Sequence, residues 1–375
     1  VANSKQLSII LALVILSPAL FAKKTSSENS GASELKSFRG KTMGTTYLVK
    51  YFENPATKTT AANTDAVDIQ EGVETILARV NAEMSTYIKE SEISRFNRLA
   101  PGIKMRVSDG FAKVTLAAIS LAEKSDGYFD PTVGPLLKLY AHGYDRQNSL
   151  QKTLPSEKQI TEALKAVGFQ KIKPSRNDLS GNYLSKTTVS TELDLSAIAK
   201  GYGVDLIYEY IESLGIKTVL VDIGGELRGS LANEQKFWKV GIESPAAKTG
   251  QKPLAILGIS QMAVATSGNY RNFRMLGGKR VGHVVNPKSG AYTPTAVASV
   301  SVLDKSCMIA DGWATALLAM PAEELEATIA KNSLKALWAT YETRPGIFWS
   351  SSRKLVVRRS KALQEYEHQK KVGLK

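Results

Sequence analysis

The amino-acid sequence predicts an α+β fold, and three observations carry that prediction. TTYLVKYF at 45–52 alternates apolar and polar residues, the period-two signal of a strand. DIQEGVETILARVNAEMS at 68–85 spaces its apolar residues at helical intervals. Helices also interrupt strands without the regular alternation of a doubly wound sheet.

The elements follow in order. Lys5 precedes the apolar run LSIILALVIL, and SPALFA ends in small residues before Lys23 and Lys24. That layout predicts a secretory signal peptide over 1–22, cut after Ala22, whose apolar run is too short for a comfortable membrane span. Residues 23–37 read as a polar linker, and the folded body runs from 38 to 345. FAKVTLAAISLAEK reads as a helix stopped by Ser-Asp-Gly. PSEKQITEALKAVG reads as another, opened by a serine cap with glutamate and glutamine nearby. KTVLVDIGG and FWKVGI are strands around a glycine turn, and LAILGIS, QMAVATSG, GHVVNP and VASVSVL follow as further short strands. CMIADGWATALLAM and PAEELEATIAKN are helices. Residues 346–375 form a basic tail with one strand (KLVVRR) and a charged helix or frayed end, expected to be solvated.

Hydrophobic residues make up 43% of the 375 and charged residues 22%, proportions that support a sizeable core. The net charge of +14 favours anionic ligands or surfaces. The basic residues are scattered, except in 353–371, and no basic stripe interleaved with aromatics is present, which argues against nucleic acid. Cys307 is the single cysteine, so an intramolecular disulfide and a cysteine-rich metal site are excluded. No cysteine near the expected cleavage site could carry a lipid, and the exported chain is expected to be soluble in a bacterial periplasm.

Three segments carry chemistry. Asp311 and Thr315 lie four apart on an expected helix, so their hard oxygens share a face and suit magnesium. The plainer alternative is a helix-end carboxylate and a surface threonine. In DLSAIAKGYGVD, Asp194 and Lys200 flank small residues, and a lysine beside a glycine turn is a phosphate partner or an ordinary surface lysine. The glycine turns VDIGGELRG, ATSGNYRNF and HVVNPKSGAYTP match no Walker sequence, and GGELRG leads into another strand, against a Rossmann fold. His283, one of three histidines, is a general base or a structural imidazole. Asp130 follows the turn SDGYF and either faces a ligand or caps.

In its order of motifs the chain resembles the ApbE family of FAD-dependent FMN transferases. The resemblance runs from about residue 40 to 335 through MGTTYLVKY, MSTYIKESEISRFN, GYFDPTVGPL, LDLSAIAKGYGVD, VDIGGELRG, VATSGNYRNF, HVVNPKSGAYTP and ADGWATAL. It implies a T-fold-related α+β unit of mainly antiparallel strands with flanking helices, holding FAD in a cleft between two lobes. Asp311 and Thr315 then correspond to side-chain ligands of magnesium, the backbone oxygen of Ala197 to a third, with Ala314 close by. Asp194 and Lys200 fall where FAD is held. Met43, Tyr87, Tyr128, Phe129, Asp130 and the backbone around Val285 match further nucleotide contacts, and Glu226 turns a polar group toward the ligand. His283 falls near the reacting phosphate.

The activity so implied is magnesium-dependent transfer of FMN from FAD to a threonine of a partner flavoprotein, with release of AMP. Two alternatives share the site: hydrolysis of FAD to FMN and AMP, and an exported FAD carrier without turnover. An uncleaved signal or the basic tail would add weak membrane association.

Overall fold

The alternating segment forms a hairpin, β1 (Glu34–Thr42) and β2 (Thr45–Glu53), closed by Met43 and Gly44. Both turn residues have positive φ, 47° and 72°. Two-residue turns of this kind favour Asn-Gly, so the methionine is held in a left-handed conformation that costs it on the order of 1 kcal/mol. The computed structural model describes residues 34–53, 66–140, 153–177, 181–231, 237–245, 252–270, 273–292, 296–343 and 353–372. The expected signal peptide, and the linker up to residue 33, lie outside the described residues. Residues 34–37 belong to β1 and not to a linker, because they pair in register with the end of β2.

Helix α1 (Ala66–Met84) is followed by α2 (Glu92–Asn97), β3 (Met105–Val107), α3 (Asp109–Lys124), α4 (Gly134–Leu139) and α5 (Glu157–Leu164). The serine cap of α5 is a full capping box: Ser156 Oγ accepts from the Gln159 amide at 3.3 Å, and Gln159 Oε1 accepts from the Ser156 amide at 2.9 Å. β4 (Ile172–Asn177) and β5 (Gly181–Lys186) join β3 in a small sheet. The long α6 (Ser196–Ser213) precedes β6 (Val219–Ile223), β7 (Glu226–Gly229), β8 (Trp238–Ile242), β9 (Ala255–Ile259) and β10 (Met262–Gly268). The hairpin β11 (Phe273–Leu276) and β12 (Lys279–Gly282) follows, then β13 (Val297–Asp304), α7 (Cys307–Ala319), α8 (Ala322–Lys331), β14 (Lys335–Thr343), β15 (Arg353–Arg359) and α9 (Lys361–Val372).

The main sheet is antiparallel, with eight strands in the order β1-β2-β6-β7-β10-β13-β14-β15. Its two faces are sorted by the period of two. Tyr47, Val49, Tyr51, Val219, Val221 and Ile223 pack against α1 and α6. Leu220, Leu227, Val264, Leu303 and Leu337 point the other way, onto the β8–β9 hairpin and α9.

Three further expectations need correction. GHVVNP is not a strand: β12 ends at Gly282, and Val285 makes only an isolated bridge to Tyr292. Gly201 and Gly203 are not in a turn but inside α6, where absent side chains admit neighbouring elements. Residues 353–372 are not a solvated tail, because β15 pairs along β14 and α9 buries Leu363 and Tyr366. Leu363 is fully buried and contributes roughly 2 kcal/mol.

Asp222, buried on β6, accepts from the Gly225 amide at 2.8 Å and so fixes the paired-glycine turn before β7. Burial pushes its carboxyl up to about 7, against the opposing pull of that amide and the Lys50 ammonium. An acid raised in this way adds stability that is complete below its unfolded value and is lost as pH rises through 7. Asp222→Asn keeps the acceptor and has no proton to lose. Its stability advantage over the native protein is expected to open between pH 4 and 7 and level off at roughly 4 kcal/mol. Denaturant unfolding across that range measures it, and a gap independent of pH would contradict this account.

Candidate active site

The site begins with the close packing of α6 on α7. A Cβ on Gly201 would lie 2.3 Å from the Cys307 carbonyl oxygen and 2.7 Å from the Met308 nitrogen, so only glycine fits there. This approach lets the Gly201 amide donate to Asp311 Oδ2 at 3.0 Å. In a regular helix that amide belongs to the Ala197 carbonyl, whose oxygen is thereby placed beside the same carboxylate.

Lys200 Nζ stands 3.4 Å from both Asp311 oxygens and 3.4 Å from Glu226 Oε1. One ammonium thus faces two buried carboxylates, and Glu226 Oε2 has no hydrogen-bond partner among the described residues. Burial raises the carboxyls of both Asp311 and Glu226, while the Lys200 ammonium lowers them. Burial alone would lower Lys200, but Asp311 and Glu226 hold it above its ordinary range. The surplus of negative charge suits a cation. Thr315 Oγ1 is one turn along α7 from Asp311 and lies 3.1 Å from Ser267 Oγ on β10.

These groups line a cleft of about 1140 Å³, larger than the few hundred to about 1,000 Å³ usual for small-molecule pockets. Met43, Tyr87, Tyr128, Phe129, Asp130, Asp194, Ala197, Lys200, Glu226, His283, Val285, Asp311 and Thr315 all line it. Ala314 does not: it lies on the face of α7 that is buried in the core. Tyr87 is 57% exposed, on the loop after α1, while Met43 reaches in from the strained hairpin and packs near Gly203. Asp130 borders the cleft, but its carboxylate is spent on the chain itself. It accepts from the Thr132 amide at 2.8 Å, the Thr132 hydroxyl at 2.6 Å and the Phe169 amide at 3.0 Å. The Tyr128 hydroxyl donates to Glu324 at 2.9 Å, and Lys288 sits over its ring. Asp194 Oδ1 accepts from the Ser196 amide at 2.9 Å, bracing the start of α6.

Sequence reasoning passed over Ser267, Arg228 and Asp205. Asp205 had a signal: it is a carboxylate among Val204, Ile207 and Tyr208 on a helix face that is otherwise apolar, where a charge needs partners. The profile of the ApbE family matches residues 43–338, a span that contains every residue just placed around the cleft.

The chain belongs to the ApbE family.

ApbE relatives match over most of their length. The FAD:protein FMN transferase of Haemophilus influenzae is 38% identical over 319 residues, which cover 84% of this chain and 89% of the relative. The structure of the flavin transferase ApbE from Vibrio cholerae matches with a TM-score of 0.75 at 33% identity, over 89% of this chain and 99% of the other. The apo form of the Pseudomonas stutzeri flavinyl transferase ApbE gives 0.76 at 31% identity, over 89% and 97%. The ApbE architecture is therefore the antiparallel α+β unit that the sequence predicts.

Proposed function

We propose that the chain transfers the FMN half of FAD to a threonine hydroxyl of a partner flavoprotein, with magnesium as its metal. The observation that carries this is the meeting of Lys200, Asp311, Glu226 and Thr315 in one wall of a cleft in an ApbE fold. The Asp311 carboxylate, the Thr315 hydroxyl and the Ala197 carbonyl are hard oxygen donors and would hold the ion. Among the described residues no cluster of three or more His, Cys, Asp or Glu could hold a metal, so phosphate oxygens and water would complete the shell. Bound there, magnesium would neutralise charge on the pyrophosphate.

The residues of the chain supply the rest. Lys200 binds the phosphates. Glu226 Oε2 accepts a hydrogen bond from the ligand, and Tyr87 packs on a flat ring. The acceptor oxygen attacks the phosphorus on the FMN side, the P–O bond to AMP breaks, and AMP leaves with the bridging oxygen. His283 takes the hydroxyl proton.

The layout of residues 1–22 supports export to a periplasm, and the basic residues of 353–371 or a retained signal would give weak membrane association. Among the described residues no helix is long and apolar enough to cross a membrane.

The test is the intact mass of a threonine-bearing flavoprotein incubated with the chain, FAD and magnesium. A gain of one FMN is expected, with AMP released, and chelator should abolish it. Free FMN and AMP without a mass gain would indicate hydrolysis, and bound FAD without AMP a carrier.

A further inference from the structure

We infer that Asp205 is a positioning residue that sets α7 against α6 and so places Asp311 for the metal. The inference rests on the reading of Asp311 as a magnesium ligand. Asp205 is buried on α6, yet its carboxylate meets four donors. Oδ1 accepts from Arg228 Nη1 at 2.7 Å and from the Cys307 amide at 2.9 Å. Oδ2 accepts from Ser306 Oγ at 2.6 Å and from the Met308 amide at 3.0 Å. Three of these bonds hold the N-terminus of α7, where amides lack helical partners and favour negative charge.

The contact is reciprocal. A carboxylate of α6, Asp205, takes amides of α7, and a carboxylate of α7, Asp311, takes an amide of α6, that of Gly201. Gly201 and Asp205 are four residues apart, as are Cys307 and Asp311, so the two exchanges lie about one helical turn apart on each helix. Two fixed points along one line of contact determine both the slide and the rotation of α7. Arg228 ties the arrangement to β7, where it shares a strand face with Glu226 two residues before it. Lys200, Asp311 and Glu226 come from three elements, and Asp205 bonds to two of them while belonging to the third.

Asp205 does not line the cleft, so a change there should act through Asp311 and leave FAD contacts intact. The experiment compares the native protein, Asp205→Asn and Asp311→Ala. The magnesium needed for half-maximal FMN transfer is measured. So is the magnesium needed for half of the magnesium-induced rise in melting temperature of the FAD-bound protein. FAD affinity is taken in chelator. Asp205→Asn is expected to raise both magnesium requirements by about tenfold or more, the scale on which outer partners of metal ligands act. FAD affinity in chelator should stay within about twofold, since no nucleotide contact is lost.

A lower melting temperature with unchanged magnesium requirements would make Asp205 purely structural and overturn the inference. If Asp205→Asn does not fold, Arg228→Gln loosens the carboxylate while leaving its three bonds to α7. It should then raise the requirement by a few-fold, and no change would again overturn the inference. A native protein indifferent to magnesium, or Asp311→Ala retaining the native response, would instead sink the metal reading itself.

Discussion

Asp311→Ala is expected to lower FMN transfer by at least about a thousandfold, or roughly 4 kcal/mol of transition-state stabilisation. The substitution deletes the only carboxylate in the expected ligand set and leaves Lys200 paired with Glu226 alone. It also removes the bond by which α7 holds the Gly201 amide of α6. Asp311→Asn separates charge from shape, because the amide oxygen still accepts from Gly201. That variant should fold like the native protein and be about as inactive as the alanine form. AMP release in single-turnover reactions measures both, and a residual rate above about a tenth of native would contradict an electrostatic role of this size.

The largest loss of stability is expected at Gly201. Its missing Cβ would lie 2.3 Å from the Cys307 oxygen and 2.6 Å from its carbonyl carbon, and backbone atoms inside a helix have no rotamer by which to escape. In Gly201→Ala the two helices must part. Overpacking of this kind costs about 3 kcal/mol, and alanine's better helix propensity returns no more than about 1 kcal/mol. Calorimetry should show a melting temperature lower by about 5 °C or more. Gly203→Ala is the control. Its Cβ would meet the ends of the Ile223 and Met43 side chains at 3.2 Å, and those can shift. Equal losses at both positions would refute the argument from backbone contact.

Legibility in the sequence followed the range of the cause. Alternation and helical spacing are local, and they located β2, β6, β10, β13, α1, α3 and α7 to within a few residues. The capping box at Ser156 is also local and was readable from Gln159. The glycines of GYG read differently for the opposite reason: alone they signal a turn, and what Gly201 serves inside a helix is the close approach of Cys307, more than a hundred residues on. Charges behaved likewise. Asp311 and Thr315 could be paired by spacing, but that Lys200 and Glu226 join them depends on three elements meeting. Asp130 shows the limit of motif reading. It borders the cleft, yet its oxygens brace the turn and Phe169. The C-terminal strand is legible as KLVVRR, but the segment lacks the glycine turns and apolar rhythm of the body and so reads as a solvated end, whereas Arg358 reaches Thr340 Oγ1 on β14 at 2.9 Å.

The late position of β15 and α9 bears on the order in which the molecule assembles. Until residues 353–372 have been made, the edge of β14 has no neighbour, and the apolar face over Trp238, Leu257 and Ile259 lacks Leu363 and Tyr366. A chain still being synthesised therefore presents an open strand edge beside an uncovered greasy face, the combination that chaperones bind and that recruits stray strands. Lysine and arginine along β15 pair poorly with a second copy of themselves. The basic character of the last strand thus restrains self-association at the edge it finally occupies.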